Sequence, residues 1–193
     1  MTSALLIMDV QQGIAESAGP GLLDRVGVAL AAAREAGLPV IFVRVAFRPG
    51  SPEISPANRT FSTLASTAGD RFGENSPATQ IHPAVAPRPG EPIVVKKRVS
   101  AFTGSDLEVL LRSLNADHLV LTGIATSGVV LSTLREAADR DYRLTVLADA
   151  CADRDDEVHR VLVEKVFPRQ AAVITAAEWV TSLAAPAGAA TSG

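Results

Sequence analysis

Six short runs rich in β-branched and aliphatic residues recur along this chain, with stretches of helical apolar spacing between most of them. This alternation restricts the fold more than any other feature. Strands joined by crossovers of a dozen or more residues pair in parallel, and parallel strands, apolar on both sides, need helices over both faces of the sheet. The runs are Ala4 to Asp9, Pro39 to Val45, Pro92 to Lys96, His118 to Thr122, Arg143 to Asp149 and Ala171 to Thr175. They predict an α/β fold: a doubly wound, mostly parallel six-stranded sheet with helices on both faces, in three α/β/α layers.

The helices are read from spacing and end signals. Leu22, Leu23, Val26, Leu30 and Ala33 recur at helical intervals, and Gly37-Leu38-Pro39 stops the helix. Ser105 is placed to cap a helix carrying Leu107, Leu110, Leu111 and Leu114, and further helices are predicted over Val130 to Asp139 and Asp153 to Val166. Thr175-Ala-Ala-Glu178 has the form of a capping box opening a last helix through Trp179 and Leu183. Between the second and third strands, Ala46 to Ala86 is rich in Pro, Ser, Asn and Gly, carries Arg48, Arg59 and Arg71, and holds a short helix near Thr60 to Thr67. So long a connection is expected to wall a pocket or to contact a second subunit. The chain of 193 residues, 47% of them hydrophobic, predicts one domain over residues 1–184 and a flexible C-terminal tail at 185–193.

Composition excludes several classes. A formal net charge of −3 offers no basic footprint for nucleic acid, and no apolar run approaches the ~20 residues that would span a bilayer. A single cysteine, Cys151, rules out an internal disulfide. Neither a secretory signal nor a membrane anchor is read, so a cytoplasmic location is expected by elimination. His82, His118 and His159 lack ligand spacing, and no G-x-G-x-x-G or G-x-x-x-x-G-K motif occurs, so neither a metal nor another cofactor is predicted.

In a doubly wound sheet, ligands bind beyond the carboxyl ends of the strands, near the point where strand order reverses. Asp9 closes the first strand, Lys96 closes the third, and the segment Leu121 to Thr133 follows the fourth. All three therefore reach one rim. The plain alternatives are a carboxylate that caps its own loop for Asp9 and a lysine reaching into water for Lys96, with Lys97 as the neighbouring candidate.

Three motifs on that rim carry a resemblance. The first strand ends in D-x-Q at Asp9 and Gln11; Lys96, Arg98, Ser100, Ala101 and Phe102 fit K-x-R-x-S-A-F; and Gly123, Thr126, Val130 and Thr133 fit T-G-x-x-T-x-x-C-V-x-x-T, with Val129 at the cysteine position. In this order they resemble the isochorismatase-like cysteine hydrolases, and the likeness continues through Asp149 to Asp153 and Val166 to Arg169. The resemblance implies catalytic roles for Asp9 and Lys96, an oxyanion site at the amides of Ala125 and Val129 after a cis peptide bond at Ile124-Ala125, and Gln11 and Phe102 among the substrate-contacting residues. It also implies a small-molecule substrate and a homodimer or higher homo-oligomer.

Valine has no lone pair for attack on a carbonyl, so the family's thiolate chemistry does not run through Val129. Some relatives, the isochorismatase domains of siderophore and phenazine pathways, also lack the cysteine and cleave a vinyl ether with an aspartate as general acid and water as co-reactant. Those relatives tend to have aromatic residues where this chain has Val99 and Ala125, which implies a different substrate. The expectation is a hydrolase of a vinyl ether or amide without a covalent thiol intermediate, with Asp9 as general acid/base and Lys96 as its electrostatic partner. The alternative is a catalytically inactive domain that keeps the fold for small-ligand binding or scaffolding. Thr126, Ser127 and Ser132 are read as capping and packing residues, and Cys151 as a packing residue. The nicotinamidase-type D-x-H metal cluster is replaced here by Arg44 to Arg48.

Overall fold

The apolar run at the N-terminus forms strand β1 (Thr2–Met8), which occupies the middle of the sheet. In chain order there follow α1 (Gln12–Ala15), α2 (Leu22–Glu35), β2 (Val40–Val45), α3 (Arg59–Ala68), β3 (Ile93–Lys96), α4 (Leu107–Ser113), β4 (Ala116–Ile124), α5 (Leu131–Ala138), β5 (Arg143–Ala152), α6 (Asp156–Val161), β6 (Ala172–Ile174) and α7 (Ala176–Ala184). These come from a computed structural model that describes residues 2–16, 18–19 and 21–184. The tail expected at 185–193 lies outside the described residues.

The six strands pair in parallel in the order β3-β2-β1-β4-β5-β6, which is the expected doubly wound sheet. The winding runs outward from β1 through β2 to β3, then returns to β4 on the other side of β1. The order therefore reverses between β1 and β4, where such sheets open a crevice. The pleat splits β1 between two cores. Ala4, Leu6 and Met8 face Leu107 and Leu111 of α4 and Leu134 of α5, whereas Leu5 and Ile7 face Val26 and Leu30 of α2 and Trp179 of α7. No helix among the described residues is long and apolar enough to cross a membrane.

The strands lie where the apolar runs place them, with two informative extensions. β4 continues to Ile124, and β5 continues past Asp149 to Ala152. A register shift makes the second possible: Leu121 pairs with Val146, but Gly123 pairs with Cys151. The bulge releases Asp149 from the sheet, and its Oδ1 accepts the backbone N–H of Ala176 at 2.7 Å. An aspartate that reads as a strand end is thus a bulge residue anchoring α7.

Helix starts are set by side-chain caps. Glu178 accepts the Thr175 N–H at 2.7 Å, and Thr175 Oγ1 accepts the Glu178 N–H at 3.2 Å, so the capping box opens α7 as expected. Ser105 Oγ accepts the Leu107 N–H at 3.1 Å at the head of α4. The helix expected from Asp153 starts later, because Asp155 caps it through the amides of Glu157 and Val158 while the Asp153 carboxylate is used elsewhere. The long connection after β2 contains α3, capped by Asn58 through the Phe61 N–H at 3.2 Å.

Candidate active site

At the carboxyl end of β1, Asp9 takes a left-handed conformation (φ 56°), one that aspartate tolerates better than most residues, and its N–H donates to the Val43 carbonyl at 2.8 Å. Lys96 ends β3 two strands away. Its Nζ lies 2.9 Å from Asp9 Oδ2 and donates to the Arg98 carbonyl at 3.1 Å. Asp9 is 5% and Lys96 3% exposed, so the pair is an ion pair inside the protein. The other carboxylate oxygen, Asp9 Oδ1, is buried without a hydrogen-bond partner among the described residues. Burial pushes the Asp9 carboxyl above the usual aspartate range, against the opposing pull of the Lys96 ammonium. A carboxyl group lifted in this way, with one free oxygen, is suited to proton transfer.

β4 runs beside β1 with Met8 paired to Gly123, so Asp9 and Ile124 leave adjacent strands side by side. The Ile124-Ala125 peptide bond is cis. A wide π-type turn over Thr126–Val130 then leads into α5, with Gly128 off helical geometry at φ −97° and ψ −105°. Backbone and side-chain bonds hold this turn, with the Leu131 N–H donating to the carbonyls of Thr126 and Gly128. The Ala125 carbonyl accepts the N–H groups of Gly128 at 3.1 Å and Val130 at 3.3 Å, and Asp153 Oδ2 accepts the Ser127 N–H at 2.7 Å. Thr126, fully buried, places Oγ1 2.8 Å from Nδ1 of His159 on α6. The chain gives no local signal for this contact, which joins residues 33 positions apart.

Of the six residues expected to act together, the structure joins Asp9 and Lys96 directly and sets Ala125 close by on β4's exit. Val129 is 2% exposed and packs in the same apolar cluster as Met8 and Phe102. Gln11 and Phe102, expected among the substrate-contacting residues, make the following contacts within the protein. The Gln11 amide bonds to backbone: Nε2 donates to the carbonyls of Val45 at 3.0 Å and Thr79 at 2.9 Å, and Oε1 accepts the Val45 N–H at 2.8 Å. A fully buried amide satisfied in this way locks the end of β2 to the long connection. The Phe102 ring packs 6.0 Å from the Tyr142 ring, with the Arg140 guanidinium 4.9 Å above it.

Next to this rim is an open cavity of about 820 Å³. Ile124, Ala125 and Ser127 form one wall of it, and α3, through Thr63 and Leu64, forms the facing wall with Arg71. The long connection thus walls a pocket, one of the two roles expected of it. Asp9 and Lys96 do not line the cavity; Asp9 follows β1, whose neighbour β4 ends at Ile124 in the cavity wall. Among the described residues no three His, Cys, Asp or Glu side chains are grouped to hold a metal ion.

Cys151 is buried behind β4, with Sγ 3.9 Å from the Leu121 carbonyl and its thiol pushed up to about 12 by burial. At pH 8 the native thiolate fraction should fall roughly 1000-fold below that of a free cysteine. Iodoacetamide should therefore label the native protein orders of magnitude more slowly than the urea-unfolded chain, as followed by intact mass. Comparable rates would mean that Cys151 is accessible.

Residues 3–178 match the family described as the isochorismatase domain. The chain belongs to the isochorismatase family. It is 30% identical to an uncharacterized isochorismatase family protein, YecD, of Escherichia coli O157:H7, over 94% of this chain and 96% of that protein. It is 34% identical to the ureidoacrylate amidohydrolase RutB of Variovorax paradoxus, over 77% of this chain and 68% of the relative. A solved isochorismatase family protein from Burkholderia thailandensis superposes with a TM-score of 0.82 at 30% identity, covering 95% of this chain and 96% of its own.

Proposed function

We propose that this isochorismatase-family chain is a hydrolase that acts on a small amide or vinyl ether with water and without a covalent thiol intermediate. The observation that carries the reading is the buried Asp9–Lys96 pair at 2.9 Å, with Asp9 Oδ1 unpartnered and the carboxyl raised. On an amide, the Asp9 carboxylate takes a proton from water as its oxygen bonds to the carbonyl carbon, then delivers that proton to the departing nitrogen. On a vinyl ether, protonated Asp9 gives its proton to the alkene carbon, water adds to the resulting oxocarbenium ion and returns a proton to the Asp9 carboxylate, and the hemiketal so formed collapses by C–O cleavage to a carbonyl compound and an alcohol. Lys96 stabilises the carboxylate whenever it is ionised, and the amides of Ala125 and Val129 offer hydrogen bonds to a developing oxyanion. Gln11 and Phe102 serve as positioning residues.

The similarity to an amidohydrolase named for ureidoacrylate supports ureido and carbamoyl amides as the first compounds to test. Purified protein should turn over at least one amide or vinyl ether, and Asp9→Asn should lower that rate by roughly 100-fold or more. A variant as active as the wild type would remove Asp9 from the chemistry. No turnover across the panel, with ligands still binding, would favour the inactive binding domain. Val129→Cys tests whether Val129 occupies the nucleophile position: the new thiol should be alkylated faster than Cys151 and slow down again when Asp9→Asn is added. An inert thiol, indifferent to Asp9, would separate Val129 from the site.

A further inference from the structure

We infer that His159 is a positioning residue: from α6 its Nδ1 accepts the Thr126 hydroxyl hydrogen and so fixes the β4 turn that carries Ala125 and Val129, an inference that rests on this turn serving the hydrolysis proposed above. Thr126 Oγ1 lies 2.8 Å from His159 Nδ1, with Thr126 fully buried and His159 partly so. Oγ1 has no other hydrogen-bond partner among the described residues. The direction of the bond follows from that isolation. With a hydrogen on Nδ1, the Thr126 hydroxyl hydrogen would be buried without an acceptor, which is costly. Donation from Thr126 leaves nothing unsatisfied, and the neutral ring then carries its hydrogen on Nε2.

Apolar packing does not explain this contact. None of the residues of α6 is buried, and Arg160 pairs at the surface with Glu157 and Glu164. The segment from β5 to α6 meets the turn instead through two polar bonds to consecutive residues: His159 to Thr126, and Asp153 Oδ2 to the Ser127 N–H at 2.7 Å. The turn has need of an outside hold. Its own bonds are widely spaced, with the Val130 N–H reaching back to the Ala125 carbonyl at 3.3 Å, and Gly128 departs from helical geometry. Ala125 and Ser127 line the cavity and Thr126 between them does not, so the imidazole grips the turn from the side away from the cavity. A shift of Thr126 carries both neighbours with it, and a misplacement of about 1 Å at a reacting site can cost on the order of 100-fold in rate.

The test compares His159→Ala, which removes the acceptor, with His159→Asn, whose side-chain amide reaches the place of Nδ1, and with Thr126→Val, which keeps the shape of threonine without its hydroxyl. Because α6 has no buried residue, the His159 variants should fold, which circular dichroism checks. Hydrogen exchange needs no substrate. The amides of Val130 and Leu131, which bond across the turn, should exchange roughly tenfold or more faster in His159→Ala and in Thr126→Val, and near the wild-type rate in His159→Asn. The double variant His159→Ala/Thr126→Val should be little faster than either single one, since both lose the same bond. The amide of Phe42, bonded to Pro92 between β2 and the approach to β3, should not change. Nitrogen NMR of the wild-type imidazole should find Nδ1 without a hydrogen. Unchanged exchange in the turn, an equal acceleration at Phe42, additive effects in the double variant or a hydrogen on Nδ1 would each overturn the inference. Turnover separates it from the hydrolase reading. On any amide or vinyl ether that wild type hydrolyses, His159→Ala should lose roughly tenfold or more in kcat with KM within about twofold, and His159→Asn should recover most of the loss. An unchanged kcat, or a loss that His159→Asn does not repair, would sink the positioning role and leave the hydrolase. Absence of turnover in wild type would sink the hydrolase, and hydrogen exchange alone would then decide whether His159 holds the turn.

Discussion

Gly123→Ala should destabilise the protein by about 3–5 kcal/mol, more than a single added methyl group usually does. Two independent causes act at this position. Gly123 has φ 142°, a conformation that side-chain-bearing residues rarely adopt, which contributes on the order of 1–3 kcal/mol. A Cβ there would also collide with the carbonyl oxygen of Met8 and stand 2.9 Å from its carbon, in backbone that cannot rotate away. The close approach of β4 to β1 at this point lets Asp9 leave its strand beside Ile124, so the glycine shapes the site as well as the sheet. Gly27→Ala is the natural control. Nothing lies within 4 Å of a Cβ at that helical position, and alanine should stabilise α2 by roughly 0.5–1 kcal/mol. Urea unfolding of both variants checks the contrast in sign. A Gly123→Ala protein within 1 kcal/mol of wild type would mean that β1 and β4 do not approach as described.

The parts of this molecule that were legible in the sequence are those governed by local pattern. Apolar runs identify all six strands because parallel strands are buried on both faces, and helical spacing identifies α2 because only one of its faces meets the sheet. The Asp9 and Lys96 positions emerge from strand ends and motif order, but their 2.9 Å contact depends on β2 lying between their strands, which pattern alone does not reveal. The bonds of Gln11 are not legible in the sequence for a physical reason: an amide two residues beyond a strand-end carboxylate fits substrate contact and a structural lock equally well until its three backbone partners are known. The cavity was least legible. Arg71 lies in an irregular connection without periodicity, and Arg154 and Asp153 precede a helix whose start was read too early because two other aspartates follow them.

The largest coupling should be between Asp9 and Lys96, and its signature is an asymmetry between the two single variants. Asp9→Ala leaves a buried ammonium that keeps the Arg98 carbonyl as an acceptor but has lost its carboxylate, and should cost about 3–5 kcal/mol. Lys96→Met leaves a carboxyl that burial already pushes toward its protonated, neutral form, and should cost less, on the order of 1–3 kcal/mol at neutral pH. The double variant Asp9→Leu/Lys96→Met, with no buried charge left, should be more stable than Asp9→Ala. The sign of the pH dependence follows from the same shift. In Lys96→Met the folded pKa of Asp9 rises above the unfolded value of about 3.9, so folding favours the protonated form. That stability is complete below about pH 4 and is lost as pH rises through the raised folded value, so Lys96→Met should unfold at lower urea at pH 8 than at pH 5 once wild type is subtracted. Asp9→Ala has no such carboxyl and should lack this added dependence. If the two single variants cost the same and their pH profiles run parallel, the pair behaves as a solvated surface bridge, and the proton-transfer role proposed for Asp9 loses its physical basis.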